Sequence, residues 1–124
     1  MMRRSTATEL GPSSHIIEKW VATKVVGVQP DEMSTGLAVA ILMLLQPTGL
    51  STDEIDLWEV NEAFASQALY CIRKLGWDID KVNPKGGAIS LGYPLGATGA
   101  RQLATPLPEL QRQGKQTGVI RMCI

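Results

Sequence analysis

Apolar and polar positions change their spacing several times along the chain, and each change marks an expected element boundary. A short helical stretch around residues 8–10 closes at Gly11-Pro12. Residues 20–28 are β-branched and mostly apolar, which predicts a strand closed by Gln29-Pro30-Asp31. Residues 36–46 collect helix-forming apolar side chains and stop at Pro47-Thr48-Gly49. The longest apolar run, residues 37–45, lies in this helix and predicts that it is buried. It is about half the length needed to span a bilayer.

Residues 55–60 alternate apolar and polar side chains and predict a strand. Asn61 stands at its end, where it can cap the helix that follows. In that helix Phe64, Ala68, Leu69, Cys71, Ile72 and Leu75 can share one broad face, with Gly76 as the C-terminal stop. After Asn83-Pro84-Lys85, residues 86–92 predict a glycine-bounded apolar strand or loop. A further helix is expected over residues 96–113, although Pro106 and Pro108 fall inside it. An interior proline costs roughly 3 kcal/mol unless the helix bends there. Residues 119–124 predict a terminal strand. Alternating strands and helices imply an α/β layered domain, with functional groups gathering at strand ends. Asn61, Tyr93 and Cys123 are the candidates on that ground.

Composition narrows the function classes. The 124 residues suffice for one cored domain, and neither a repeat nor a low-complexity linker divides them. Twelve basic residues offset twelve acidic ones, which gives no electrostatic reason for nucleic-acid or anionic-membrane partners. The two cysteines, Cys71 and Cys123, have no metal-ligand spacing, and one histidine, His15, cannot complete a zinc site. No metal is expected, and free thiols in a reducing compartment are. The first eight residues are basic, hydroxyl-rich and free of acid. That is a faint targeting composition, set against the first turns of a surface helix.

Three blocks carry a family resemblance. Asn61-Glu62-Ala63-Phe64-Ala65 resembles the NEAFA motif of thiolases. GGAISLGYPLGATGAR at residues 86–101 resembles their GGAIALGHPLGATGAR motif, and Met122-Cys123-Ile124 resembles the start of MCIGxG. Residues 20–33 and 49–56 also resemble thiolase sequence, and Arg3-Arg4-Ser5-Thr6-Ala7 resembles an interior helix of the family rather than a leader. The wording at residues 65–71 is most similar to peroxisomal 3-ketoacyl-CoA thiolases. The resemblance covers nearly the whole chain but only about the last third of a thiolase of two core domains.

The resemblance implies a thiolase-like layered α/β fold, C-terminal half only and missing its last strand. Residues 1–19 would form a lead-in helix and loop like the segment joining the family's halves. It implies an acyl-CoA C-acyltransferase of fatty-acid β-oxidation, converting a 3-ketoacyl-CoA and CoA to acyl-CoA and acetyl-CoA. CoA and acyl-CoA would be substrates, with no bound cofactor. By resemblance Cys123 is the acid/base cysteine, a role within reach of a thiol whose ordinary pKa is about 8.5. Asn61 would orient a water in the oxyanion site. Phe64 would pack beside the acyl pocket or in the core, and Gly92 would let the loop approach ligand. Cys71, on the apolar face, is assigned to packing. The glycine pattern of residues 92–99 is neither GxGxxG nor a Walker A loop, so it does not predict a nucleotide-phosphate cradle.

Tyr93 stands where thiolases have a histidine that activates the nucleophile and donates into the oxyanion site. A phenol can donate a hydrogen bond but is a poor base near neutral pH. No segment here matches the half that supplies the nucleophilic cysteine, and the sequence stops one residue after Cys123. Leu37 and Leu42 replace family prolines. The expectation is therefore a thiolase-type chain inactive alone. The alternatives are a catalytically dead fragment that associates with a thiolase subunit, homo- or hetero-oligomeric, or a degenerate gene remnant. The resemblance places it in the peroxisome, with cytoplasm or mitochondrion as alternatives, and no targeting signal is visible.

Overall fold

A computed structural model describes residues 2–11 and 16–122. His15, Pro12, Cys123 and Ile124 lie outside the described residues, so the expectations placed on them have no structural counterpart below. The described chain runs α1 (Arg4–Glu9), α2 (Gly36–Thr48), β1 (Leu57–Val60), α3 (Ala65–Leu75), α4 (Ala88–Leu91), α5 (Thr98–Ala104), α6 (Pro106–Gln113) and β2 (Gly118–Arg121). Short 3-10 turns occupy Pro30–Thr35, Thr52–Glu54 and Ile79–Lys81.

Among the described residues β1 and β2 form a parallel pair in the register Leu57↔Gly118 to Val60↔Arg121. Parallel strands need a long crossover, and α3 to α6 supply it. Helices cover both faces, as parallel sheets require. Trp58, Val60 and Val119 join Leu37, Ile41 and Leu45 of α2 and Cys71 of α3 in one buried cluster. Each such aliphatic side chain contributes about 1.5–3 kcal/mol on burial. Trp58 also stacks on Trp77, with ring centroids 4.1 Å apart and planes 20° apart. α5 and α6 pack against the strands as well. This is the expected α/β layering.

Several expectations need correction. Residues 20–28 form no strand: they run without regular pairing, and Trp20, Val21 and Val25 are exposed. β-branched composition favours a strand only where a partner and a covered face exist, and here neither is present among the described residues. β1 does not alternate in burial, since all four residues are buried. Glu59 is enclosed because Arg101 of α5 reaches it at 2.9 Å. α2 is buried along one face rather than all round, leaving Val39, Leu42 and Met43 exposed. No described helix is long and apolar enough to cross a membrane.

Residues 88–91 form a single helical turn, α4, rather than a strand. The helix expected over residues 96–113 is two helices meeting at Thr105. Pro106 and Pro108 take the first and third positions of α6, where the N–H groups have no partner within the helix, so the interior-proline penalty does not arise. Gly49, Gly76 and Gly114 close α2, α3 and α6 in left-handed conformations. Cys71 is fully buried in the core cluster, as assigned.

Candidate active site

The C-terminal ends of β1 and β2 lie side by side, and Met122, which follows β2, lies against Gly99 of the glycine-rich motif. Asn61 continues β1, and its N–H donates to the Arg121 carbonyl at 2.9 Å. Arg121 ends β2, two residues before Cys123. The Gln102 side chain of α5, fully buried, donates to the same Arg121 carbonyl at 2.8 Å and to the Glu59 carbonyl at 3.2 Å. The strand ends are thus pinned by backbone and by a side chain from the covering helix.

Asn61 is fully buried, yet neither its amide nitrogen nor its amide oxygen has a partner among the described residues. An unpaired buried amide costs on the order of 1–3 kcal/mol, so such a group in a folded protein is a candidate for ligand or water binding. Asn61 does not take the helix-cap position that its place in the sequence left open. Phe64, in extended conformation, holds the N-cap position of α3 without a side-chain cap. The local sequence places the turn three residues later than the cap preference of asparagine suggests, because residues 61–63 remain extended or bent. Phe64 itself is 69% exposed, which rules out the core packing considered for it. Leu69, 42% exposed, likewise leaves the face assigned to it.

The residue after Asn61 ties the two motifs together. Glu62 accepts from Asn83 Nδ2 at 2.7 Å through Oε1 and from the Ile89 N–H at 3.0 Å through Oε2. That second bond anchors the N-terminal end of α4, whose C-terminal neighbour is Gly92. Gly92 has φ 103° and ψ 159°, a conformation open to glycine and strained for other residues. Tyr93 follows on an exposed loop and is 45% exposed, with Leu95 at 97%. No hydrogen bond joins Tyr93 to Asn61 among the described residues. The structure therefore brings the Asn61 segment to the end of β2 and to α4, and leaves Tyr93 on the open side.

The charged surroundings are asymmetric. Burial pushes the Glu59 carboxyl up from its ordinary range, and the Arg101 guanidinium opposes that shift. Glu59 Oε1, Arg101 Nη2 and Gln102 Oε1 are buried without partners among the described residues, so the polar groups around the strand ends are incompletely satisfied. No described group of His, Cys, Asp or Glu could hold a metal ion. The sequence reading missed Glu59, Glu62, Asn83, Arg101 and Gln102 as members of this site. Only Glu62 and Arg101 lie inside the motif blocks, and Glu59, Asn83 and Gln102 lie within three residues of them, which was the one available signal.

A family model described as "Thiolase, C-terminal domain" matches residues 14–124. The chain is 54% identical over its full length to the peroxisomal 3-ketoacyl-CoA thiolase of Yarrowia lipolytica, and spans 30% of that relative. It superposes on two solved structures of the peroxisomal 3-ketoacyl-CoA thiolase of Saccharomyces cerevisiae, 53% identical in each case. One, described as a five-layered α-β-α-β-α structure of two core domains of identical topology, gives a TM-score of 0.89 over 98% of this chain and 34% of its own. The other, described as dimeric, gives 0.90 over 98% of this chain and 30% of its own. With Asn61, the Gly86-Gly87 loop and the β2 end gathered at one edge of a layered α/β unit, this chain belongs to the thiolase family and carries its C-terminal domain.

Proposed function

We propose that this chain supplies the C-terminal-domain half of a 3-ketoacyl-CoA thiolase active site, working on CoA thioesters of fatty-acid β-oxidation. The observation that carries the proposal is the buried Asn61 side chain at the strand end, whose amide nitrogen and oxygen are both unpartnered among the described residues. Thioester cleavage by CoA needs a donor, direct or through water, for the oxygen that gains negative charge. A buried amide at the strand end meets that need, since it is in place before substrate arrives. In this proposal Asn61 orients the oxyanion water and Cys123 moves the proton beside the thioester carbonyl. Gly92 shapes the loop, and Phe64 offers its exposed ring to the acyl chain. Tyr93 replaces the imidazole of the motif with a phenol, which keeps a hydrogen-bond donor and loses the base.

The names of the similar proteins favour a peroxisomal setting and CoA-linked substrates. The large exposure of Phe64 and Leu95 favours assembly with a complementary thiolase segment, in a homo- or hetero-oligomer. The test is reconstitution. The chain is co-expressed with the N-terminal segment of a peroxisomal 3-ketoacyl-CoA thiolase, sized, and assayed for thiolysis of acetoacetyl-CoA by CoA. A mixed species with turnover above either part alone is expected. A stable mixed species without turnover would reduce the chain to a non-catalytic association module, and no mixed species would remove both proposals.

A further inference from the structure

Asn83 is the described non-glycine residue with a left-handed backbone, at φ 47°. Asparagine tolerates this region better than most residues, and other contacts hold it there. Its side chain is buried and makes three hydrogen bonds that enclose Asn61 in sequence. Oδ1 accepts from the Val60 N–H at 2.8 Å, and Nδ2 donates to the Val60 carbonyl at 3.0 Å. The same Nδ2 donates to Glu62 Oε1 at 2.7 Å.

The amide of Asn83 thus pairs with Val60 as a neighbouring strand would, through one donor and one acceptor. Its backbone continues the imitation, with the Asn83 N–H donating to the Trp58 carbonyl at 2.8 Å and a bridge between Trp58 and Val82. On the opposite side β1 pairs with β2. Glu62 carries the linkage onward by accepting from the Ile89 N–H, which fixes α4 and the glycine loop beyond it. Gly87 supports the same arrangement. A Cβ placed there would meet Asn83 Nδ2 at 2.5 Å and the Glu62 carboxylate closer still.

We propose that Asn83 is a positioning residue that holds Asn61 and the residues 86–92 in one fixed arrangement, using its side-chain amide in place of a sheet strand. This role rests on the proposed thiolase chemistry for its catalytic consequence, but not for the bridge itself. The residue touches no substrate in this scheme and acts through Val60 and Glu62.

The bridge is tested on the whole 124-residue chain by NMR and amide exchange. In the unaltered chain both Nδ2 protons of Asn83 are expected to show contacts to Val60 and Glu62; their absence overturns the proposal. Asn83→Asp keeps the acceptor for the Val60 N–H and loses both donations. Exchange of the Ile89 amide should rise at least tenfold, that of Val60 should rise less than threefold, and those of Ile41 and Leu45 in α2 should stay unchanged. Asn83→Gly relieves the backbone but removes the amide, and should release Val60 and Ile89 alike. Wild-type protection at Ile89 in either variant, or a parallel rise at every amide including α2, overturns the proposal. In the reconstituted thiolysis assay Asn83→Asp should lower kcat at least tenfold with KM within threefold. A raised KM at unchanged kcat speaks against positioning. Absence of turnover with unaltered Asn83 removes the thiolase proposal and leaves the bridge to be judged by exchange.

Discussion

Replacing Gly87 by alanine probes the Glu62–Asn83 linkage from its crowded side. The Gly87 backbone has φ −107°, which any residue adopts, so the variant carries no backbone strain. Its cost is steric. The new methyl would overlap the Glu62 carboxylate and lie 2.5 Å from Asn83 Nδ2, far inside contact distance. The flexible partner is Glu62, and swinging it away breaks the bonds to Asn83 at 2.7 Å and to the Ile89 N–H at 3.0 Å. Hydrogen bonds to a charged group contribute roughly 1.5–3 kcal/mol each, and water regained by a half-buried carboxylate returns part of that. About 2–3 kcal/mol remains lost. The alanine stiffens the unfolded chain by about 0.4–1 kcal/mol in the opposite direction. The net expectation is destabilisation of about 1–2.5 kcal/mol. Urea unfolding followed by the fluorescence of the Trp58–Trp77 pair measures it. A double-mutant cycle with Glu62→Ala isolates the cause, because alanine at position 87 should be at least about 1 kcal/mol less costly once the carboxylate is gone. Gly87→Ala within about 0.5 kcal/mol of the parent, or equally costly in both backgrounds, would refute the reasoning.

Three further outcomes are expected. Tyr93→His in the reconstituted thiolase should raise turnover by about 10²–10⁴, the scale of one positioned general base, and an unchanged rate would show that position 93 is not limiting. Arg101→Met leaves Glu59 buried without its cation and should destabilise by about 3 kcal/mol at neutral pH in urea unfolding. The Glu59 carboxyl already sits above its ordinary range through burial, so the folded state holds that proton more tightly than the unfolded chain. Stability from this group is present below about pH 4.3 and falls as pH rises, and removing Arg101 should steepen the fall. Glu109 behaves in the opposite sense. Hydrogen bonds from Arg112 and Gln113, with Lys85 at 3.3 Å, hold its carboxyl well below the ordinary range. Its contribution is present above about pH 4.3 and is lost as pH falls, so Glu109→Gln should flatten the acid limb of the stability profile.

The layered α/β class, the helix closing at Gly49, the helix closing at Gly76 and the burial of Cys71 were all legible in the sequence. Each follows from local rules that need no knowledge of neighbours: apolar spacing, the absence of a Cβ at a left-handed stop, and the small size of a thiol. The family was legible for a similar reason, because motif wording at residues 61–65 and 86–101 is itself local. Tertiary structure decided what depends on partners brought from afar. The β-branched segment at residues 20–28 found no strand to pair with among the described residues, and Glu59 turned inward because Arg101, forty-two residues later, meets it there. Asn61 does not take the cap position open to it and is a buried amide without partners among the described residues. Asn83, an unremarked turn residue in the sequence, became the contact between the two motifs. Local chemistry fixes which conformations a residue can adopt, whereas burial and hydrogen-bond partners are properties of the assembled layers, and the candidate site is made of those.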